Sequence, residues 1–358
     1  MIEDKTLYSL DDITFVPVIK SNIASRGQVD PLYWGDDIPR MPIFISPMSC
    51  LINEKNFDKI DKLGFNVIMP RSVAWNIRMD YMKKGKWIAV GHKEAEKLYY
   101  EFEAELILNQ KLEYLPHICI DQAQGHSYKL LSLCRKFKTL LKNDIVLMTG
   151  NIANPEAYEV YDNIGIDYVR VGIGGGSGCT TSVQTGMHYP MASLIDECNT
   201  IRKNRKLYNT EYKKFHTKII ADGGITTIDK IIKAIGLGAD YVMIGSFFTR
   251  TGEACSKFTD GFCGPDTFEY YGMSTKRAQR EIYESSGVKD KLGEFTPKHD
   301  EGLAKLIKKD YSIDELIFDY KHAMKSAMSY NNSDKLSDFV GNTHAKIISP
   351  KALQSYMK

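Results

Sequence analysis

The chain has 358 residues, of which 43% are hydrophobic and 26% are charged, and its formal net charge is +2 at pH 7. These values are typical of a globular protein, and so small a net charge favours neither nucleic acid nor a membrane surface as a partner. No apolar run approaches the roughly 20 residues that span a bilayer, and the first residues do not have the pattern of a secretory signal.

The seven cysteines are scattered along the chain and form no CxxC pair. An odd number of dispersed cysteines in a chain of this length indicates free thiols in a reducing compartment. We therefore expect a cytoplasmic protein without structural disulfides.

From Ile43 onward, short apolar segments alternate with longer segments of helical character. Eight such alternations predict an α/β protein that forms a (β/α)8 TIM barrel rather than an open sheet. The predicted strands are Ile43–Met48, Asn66–Pro70, Trp87–Gly91, Ile118–Asp121, Ile145–Thr149, Tyr168–Ile173, Ile219–Ala221 and Tyr241–Ile244. The predicted helices lie near Glu54–Leu63, Ile77–Lys84, His92–Glu103, Tyr128–Leu141, Pro155–Ile164, Met191–Arg202, Thr227–Gly236 and Ile313–Tyr330.

A barrel of this kind needs about 250 residues, which leaves about 100 for the two ends of the chain. We expect one domain, with the barrel over about 43–250, a mobile flap over about 252–302 and a C-terminal tail over 303–358. The flap is predicted because Gly252–Asp300 contains turn formers and no strong apolar periodicity, which is typical of a lid beside an active face.

Residues 201–218 are basic with interleaved aromatic residues. A solvated helix end explains them better than a nucleic-acid site, because the chain as a whole is not basic.

Polar residues follow six of the predicted strands. In a TIM barrel these positions meet at one face, which carries the active site. The segments are Ser46–Cys50, Arg71, Asp121–Ser127, Thr149–Asn151, Ala221–Gly224 and Gly245–Ser246.

The segment Val171–Thr181 contains the densest group of glycines and ends in Cys179, Thr180 and Thr181. Consecutive glycines allow a backbone to wrap closely around an anion, held by N–H groups, or a cation, held by carbonyl oxygens. Cys179 is a candidate nucleophile with the Thr181 hydroxyl as a proton-transfer partner. The alternative is that Cys179 is a small buried residue and the glycines only turn the chain.

The loops after the seventh and eighth strands predict a phosphate site, because these loops commonly bind phosphate in TIM barrels. Asp222 is expected to bind a sugar hydroxyl, since a carboxylate and a phosphate repel each other. Asp121 has two interpretations: it accepts a hydrogen bond from a ribose, or it is the N-cap of the following helix. Glu301 also has two: it is a proton-transfer partner of Thr181, or it is a surface residue. Further candidates for the phosphate site are the Ser177 hydroxyl and backbone groups of Tyr271–Met273.

These motifs together resemble the inosine-monophosphate (IMP) dehydrogenase and guanosine-monophosphate (GMP) reductase family, from Ser25 to about Lys346. The most specific match is Gly172–Thr181, followed by Thr185-Gly186 and Tyr189-Pro190. Asp121, Asp222–Gly224, Gly245-Ser246, Tyr271–Met273, Glu301-Gly302 and Ser326–Tyr330 match in the same order.

The resemblance implies that Cys179 attacks C2 of a purine to form a thioimidate, while Thr181 and Glu301 move protons. It also implies an NADPH-dependent reaction, with NADH or NAD possible, a K+ ion and a homotetramer in which some cofactor contacts come from a neighbouring subunit. The implied substrate contacts are Met48, Ser177, Asp222, Gly223, Gly224, Gly245, Ser246, Tyr271, Gly272 and Met273. The implied cofactor contacts are Ser25, Arg26, Arg71, Asp121, Gln122, Ala123, Ile173, Gly174, Ser326, Ala327, Met328 and Ser329. The implied cation ligands are the carbonyls of Gly174, Gly176 and Cys179.

Two absences favour a reductase over a dehydrogenase. The dehydrogenases usually carry a regulatory insert after the second strand and an Arg-Tyr pair on the flap that activates water. Here strands two and three are close in sequence, and no Arg-Tyr pair lies between Met273 and Glu301.

Some positions depart from the family pattern. Ser46–Met48 and Ser246 resemble the dehydrogenases, whereas Ser49-Cys50, Gly175 and Ser182 depart from residues common in the family. A stand-alone IMP dehydrogenase and a purine-nucleotide-binding paralogue with an altered substrate therefore remain alternatives. A flavin-dependent barrel oxidoreductase is a further alternative, since flavin-mononucleotide binders share the phosphate loops after strands seven and eight.

Overall fold

Eight parallel strands close into a barrel in the computed structural model, which describes residues 4–34, 38–208, 216–286 and 302–356. The first barrel strand, β2, pairs with both β3 and the last barrel strand, β9, and this closes the ring. The predicted TIM barrel and its eight strands are confirmed, with ends that differ by a few residues. In chain order the strands are β1 Ile13–Val16, β2 Ile43–Ile45, β3 Asn66–Met69, β4 Trp87–Val90, β5 His117–Ile120, β6 Val146–Ile152, β7 Tyr168–Val171, β8 Lys218–Asp222, β9 Tyr241–Ile244, β10 Thr267–Tyr271, β11 Ala304–Lys308 and β12 His344–Ile347.

Helices follow the barrel strands as predicted; two of these and one helix of the C-terminal tail keep both predicted ends. One of these helices begins at Pro155, where a missing N–H costs nothing because N–H groups of the first turn have no partner within the helix. The preceding residue, Asn154, caps the helix by accepting a hydrogen bond from the Glu156 N–H. The helices are α1 Phe57–Lys62, α2 Trp75–Lys83, α3 His92–Asn109, α4 Tyr128–Leu141, α5 Pro155–Ile164, α6 Thr181–Thr185, α7 Met191–Tyr208, α8 Ile228–Leu237, α9 Ser246–Thr249, α10 Lys276–Ser285, α11 Ile313–Tyr330, α12 Leu336–Phe339 and α13 Pro350–Tyr356.

The inside of the barrel is filled by side chains. Aromatic rings at the amino-terminal ends of β4, β7 and β9 pack edge-on against Phe44 and close that end. Because the interior is packed, a ligand site is expected only at the opposite end, where the strands finish. The residues of this inner layer are Phe44, Ile68, Ala89, Cys119, Met148, Ile220 and Met243.

Two small antiparallel sheets lie outside the barrel. One joins the two ends of the chain, since β1 pairs with β12. The other pairs β10 with β11. The prediction that 252–300 lacks regular elements is therefore wrong for β10 and α10. The remainder of the predicted flap, 287–301, lies outside the described residues.

The basic segment begins as the last turns of α7. Arg202 is buried and pairs with Asp240, with 2.6 Å between Nη1 and Oδ2, and Arg205 pairs with Asp162 at 2.9 Å. These two cations pack α7 against its neighbours and are not solvated as the sequence predicted; residues 209–215 of the basic segment lie outside the described residues. Within the described residues, no helix is long and apolar enough to cross a membrane.

Candidate active site

A cavity of about 340 Å³ lies at the carboxyl ends of the barrel strands. Most of the predicted site residues line it, although they come from loops far apart in the sequence. Those that do are Met48, Arg71, Asp121, Gln122, Ala123, Ile173, Gly174, Gly176, Ser177, Cys179, Thr181, Asp222, Gly223, Gly224, Gly245, Ser246, Gly272 and Met273.

The catalytic loop, 172–181, leaves β7 and folds into this cavity. Gly172 has φ 122° and lies so close to β8 that a Cβ there would stand 2.3 Å from the Asp222 carbonyl oxygen, so no side chain fits. The Cys179 thiol is partly exposed and donates to the Thr181 hydroxyl over 3.2 Å. The predicted pairing of these two side chains is thus present in the structure.

Five other thiols are poorly suited to nucleophilic chemistry because burial raises their pKa. It raises the pKa to about 12 for Cys50, Cys119, Cys134 and Cys255 and also raises that of Cys198. These thiols therefore remain protonated near neutral pH.

The catalytic loop is hydrogen-bonded to the segment that leads into β11. The Leu303 N–H donates to the Gly178 carbonyl over 3.0 Å, and Gly302 forms an antiparallel bridge with Cys179. Glu301, a predicted catalytic residue, lies outside the described residues, and Gly302 is its neighbour in the chain. Its role therefore stays a prediction.

Arg170, on β7, joins two of the predicted ligand-binding carboxylates. Its Nη1 donates to Asp121 Oδ1 over 2.6 Å, and its Nε and Nη2 donate to Asp222 Oδ2 over 3.0 and 2.8 Å. Burial alone would lower the pKa of Arg170, but Asp222 and Asp121 raise it well above its usual value. A charged bridge therefore holds the ends of β5 and β8 together across the cavity wall.

Asn151 completes this network from the end of β6. Its amide donates to Asp222 Oδ2 over 2.7 Å and to the Gly172 carbonyl over 2.9 Å. The alternative role of Asp121 as a helix N-cap is wrong, because Ser127 occupies the N-cap position of α4.

The predicted phosphate end of the cavity contains Tyr270, which the sequence analysis did not select. A Cβ on Gly245 would stand 2.7 Å from the Tyr270 hydroxyl, so glycine leaves room for that group. Burial raises the pKa of Tyr270, and contacts with the Ser177 hydroxyl and the Ser246 backbone partly oppose this. This end of the cavity thus contains neighbouring polar groups from Tyr270, Ser177 and the start of α9.

Tyr271, which was predicted to contribute backbone groups, has its side chain directed away from this end. Its hydroxyl donates to Glu281 over 3.0 Å and lies 3.4 Å from the Ser49 hydroxyl. Only the backbone of Tyr271 is left for a role at the site. Adjacent residues on a strand face opposite sides, which explains why one tyrosine lines the cavity and the next does not.

Several predicted cofactor contacts lie elsewhere. Ser25, Arg26 and Ser329 line a second hollow of about 660 Å³, together with His322. Met328 is fully buried in the core, so its side chain is unavailable to a ligand. Neither Ser326 nor Ala327 lines the first cavity. The assignment of Ser25, Arg26 and Ser326–Ser329 to a cofactor stays a prediction.

Two of the three predicted cation ligands, Gly174 and Gly176, already accept hydrogen bonds on their carbonyl oxygens. The Gly174 carbonyl accepts from the Ser182 hydroxyl over 3.1 Å, and the Gly176 carbonyl accepts from the Cys179 N–H over 3.0 Å. A carbonyl oxygen has two lone pairs, and each of these two accepts one of the hydrogen bonds found among the described residues, so the cation site stays a prediction. In the described part of the chain, no cluster of His, Cys, Asp and Glu could hold a metal ion through its side chains.

Comparison with known proteins gives a consistent result. Residues 100–355 match the model of the IMP dehydrogenase / GMP reductase domain. A GMP reductase from Streptococcus pneumoniae serotype 4 (strain ATCC BAA-334 / TIGR4) is 28% identical over 347 residues, which is 94% of both chains. A GMP reductase from Helicobacter pylori (strain ATCC 700392 / 26695) is 31% identical over 79% of this chain and 83% of its own.

Proposed function

Because the chain belongs to the IMP dehydrogenase / GMP reductase family, we propose that it is an NADPH-dependent oxidoreductase that converts GMP, or a closely related purine nucleotide, to IMP and ammonia. The observation that carries the proposal is the partly exposed Cys179 thiol, 3.2 Å from the Thr181 hydroxyl in the cavity at the barrel mouth. A nucleophile with a proton-transfer partner is what this deamination requires.

In the first step, Cys179 Sγ forms a bond to C2 of the purine. The 2-amino group takes up a proton and leaves as ammonia, so the base remains attached to the enzyme as a thioimidate. Thr181 is placed to relay protons because its hydroxyl contacts Sγ. Glu301 is proposed as the acid at the other end of this relay, since its neighbour Gly302 bridges to Cys179.

In the second step, C2 is reduced and the bond to Cys179 breaks, which returns the thiol and releases IMP. NADPH supplies the hydride when it is bound. The overall reaction, GMP + NADPH + 2 H+ → IMP + NADP+ + NH4+, is balanced. The chain's part is to hold C2 beside Sγ and to exclude water from the covalent intermediate.

A reductase and a dehydrogenase of this family differ in whether water reacts with the covalent intermediate. Hydrolysis of the covalent intermediate would give xanthosine monophosphate (XMP), and it needs a base that activates water. No Arg-Tyr pair occurs between Met273 and Glu301. We therefore favour reduction over hydrolysis.

The nucleotide is proposed to bind with its phosphate at Ser177, Ser246 and Tyr270 and its sugar at Asp222. The N–H groups at Gly224 and Gly245 suit the same phosphate. We also propose a single-domain, cytoplasmic homotetramer, in which the hollow at Ser25 and Arg26 serves the cofactor of a neighbouring copy. A K+ ion is proposed at the carbonyls of Gly174, Gly176 and Cys179, so turnover should fall when choline replaces K+.

The test is to incubate the purified chain with GMP and NADPH in potassium buffer, and with IMP and NAD+ in a parallel reaction. Oxidation of NADPH with formation of IMP and ammonia is the expected result. Formation of NADH and XMP in the second reaction alone would contradict the proposal and identify a stand-alone dehydrogenase.

A further inference from the structure

Arg71, two residues after the end of β3, brings to the cavity a donor that no acceptor matches. It lines the cavity, and its side chain is 25% exposed. Its Nε is buried and has no hydrogen-bond partner among the described residues. Its guanidinium lies against Gly91, where a Cβ would stand 2.4 Å from Nη2. A buried donor without an acceptor costs free energy, so the position of Arg71 needs a cause.

The carboxylate of Glu94, on α3, is beside Arg71 but is already occupied. Its Oε2 lies 3.8 Å from Arg71 Nε, which exceeds the length of a hydrogen bond. Oε2 accepts from the Gly91 N–H at 2.8 Å and from Arg78 Nη1 at 3.2 Å, and Oε1 accepts from Arg78 Nη2 at 2.6 Å. Because one carboxylate oxygen has two lone pairs, these donors leave no place on Oε2 for Arg71.

Arg78, on α2, is itself fixed in this position. It is fully buried, and its Nε and Nη1 also donate to the Val73 and Ala89 carbonyls, each over 2.9 Å. Although burial alone would raise the pKa of Glu94, the hydrogen bonds and the charge of Arg78 hold it below its usual value. Glu94 is therefore an ionised group that would attract Arg71 if Arg78 did not occupy it.

Arg71 comes from the end of β3, whereas the groups proposed for the phosphate and the sugar follow β7, β8 and β9 or lie on β10. A guanidinium only donates hydrogen bonds, so a carbonyl oxygen of the purine base or of the carboxamide of the reduced cofactor suits it. Resting on the proposed function, we propose that Arg71 binds such a carbonyl oxygen and that Arg78 is a positioning residue, which keeps Arg71 available by occupying Glu94. Without Arg78, a shift of about 1 Å would let Arg71 bond to Glu94 Oε2 instead.

The experiment measures two dissociation constants with the full chain, under conditions without turnover. That of GMP is measured by calorimetry without a cofactor, and that of NADPH by its fluorescence with IMP present. Arg71→Met should weaken binding of one of the two ligands about 10-fold or more, which identifies the source of the carbonyl. Arg78→Met should weaken binding of the same ligand about 10-fold and of the other less than about threefold. Arg135→Met removes the same charge from an exposed position on α4 and should leave both constants unchanged.

The double variant Arg78→Met, Glu94→Leu distinguishes positioning from a general loss of structure. It contains no carboxylate that competes for Arg71, and replacing both members of a buried pair leaves no unpaired charge. It should therefore bind the same ligand within about threefold of the unaltered chain, although it carries one substitution more than Arg78→Met. If Arg78→Met does not fold, Arg78→Lys takes its place: one ammonium does not hold both carboxylate oxygens, so the ligand should bind at least about threefold more weakly.

The outcomes separate this inference from the proposed function. Unchanged constants in Arg71→Met would overturn it, because Arg71 would then touch neither ligand. Unchanged binding in Arg78→Met, or weakened binding that persists in the double variant, would overturn the role of Arg78. The proposed function stands in each of these cases, since GMP and NADPH still bind to the unaltered chain. Absence of both ligands from the unaltered chain would overturn both proposals.

Discussion

Replacing Arg170 with methionine tests the charged bridge across the cavity. The side chain is 10% exposed and pairs with two carboxylates that are 15% and 14% exposed. Removing one partner of a buried ion pair typically costs about 3–5 kcal/mol. Here both carboxylates border the cavity, so water can replace part of the lost interaction, and we expect a loss of about 2–3 kcal/mol in the free energy of unfolding.

The assay is denaturant unfolding of the unaltered chain, Arg170→Met and Arg170→Lys, with and without GMP. Lysine keeps the charge but cannot donate to both carboxylates in a fixed plane, so its loss should be smaller, about 1–2 kcal/mol. Arg170→Met should also weaken GMP binding about 10-fold or more, because Asp222 loses its orientation. An unchanged midpoint together with an unchanged dissociation constant in Arg170→Met would refute this reasoning.

Two further predictions concern single side chains. Tyr270→Phe should weaken GMP binding, measured by calorimetry, about 10-fold or more, since it removes a donor to the phosphate. Tyr271→Phe should change the dissociation constant by less than about twofold. Equal effects of the two variants would contradict the assignment of Tyr270 to the phosphate. Burial lowers the pKa of His216 from 6.5 to about 3. Between pH 6.5 and about pH 3 the unfolded chain therefore binds a proton that the folded chain does not. The free energy of unfolding thus falls as the pH falls through that range. In denaturation midpoints measured against pH, His216→Gln should remove this loss, about 1 kcal/mol near pH 5 after allowance for the partial exposure of the ring; an unchanged profile would contradict it.

The barrel could be predicted from the sequence because each of its strands is a short, mostly apolar run of consecutive residues. Tyr168–Val171, for example, follows Gly165 by three positions, is followed directly by Gly172, and is buried along most of its length. The pairing of β1 with β12 was not predictable in this way, since its two strands lie at opposite ends of the chain. Strand β10 has the aromatic residues typical of strands, and its turn-rich surroundings concealed them.

The site could be predicted where a strand end carries a polar residue, as with Asp121 and Asp222. Arg170 was missed because it lies inside a strand, and its partners are 49 and 52 positions away. An arginine within an otherwise apolar strand was the available signal, because a buried charge requires a partner. Tyr270 was missed because the sequence of β10 does not show which face of the strand meets the cavity.

Comparison of Cys179→Ala with Cys263→Ala tests the central claim most directly. Cys263 is an exposed thiol outside the cavity, so its replacement controls for the loss of a reactive cysteine. We expect Cys179→Ala to abolish oxidation of NADPH by GMP while GMP still binds, and Cys263→Ala to retain full turnover. Turnover near the level of the unaltered chain in Cys179→Ala would contradict the role of Cys179 as the nucleophile.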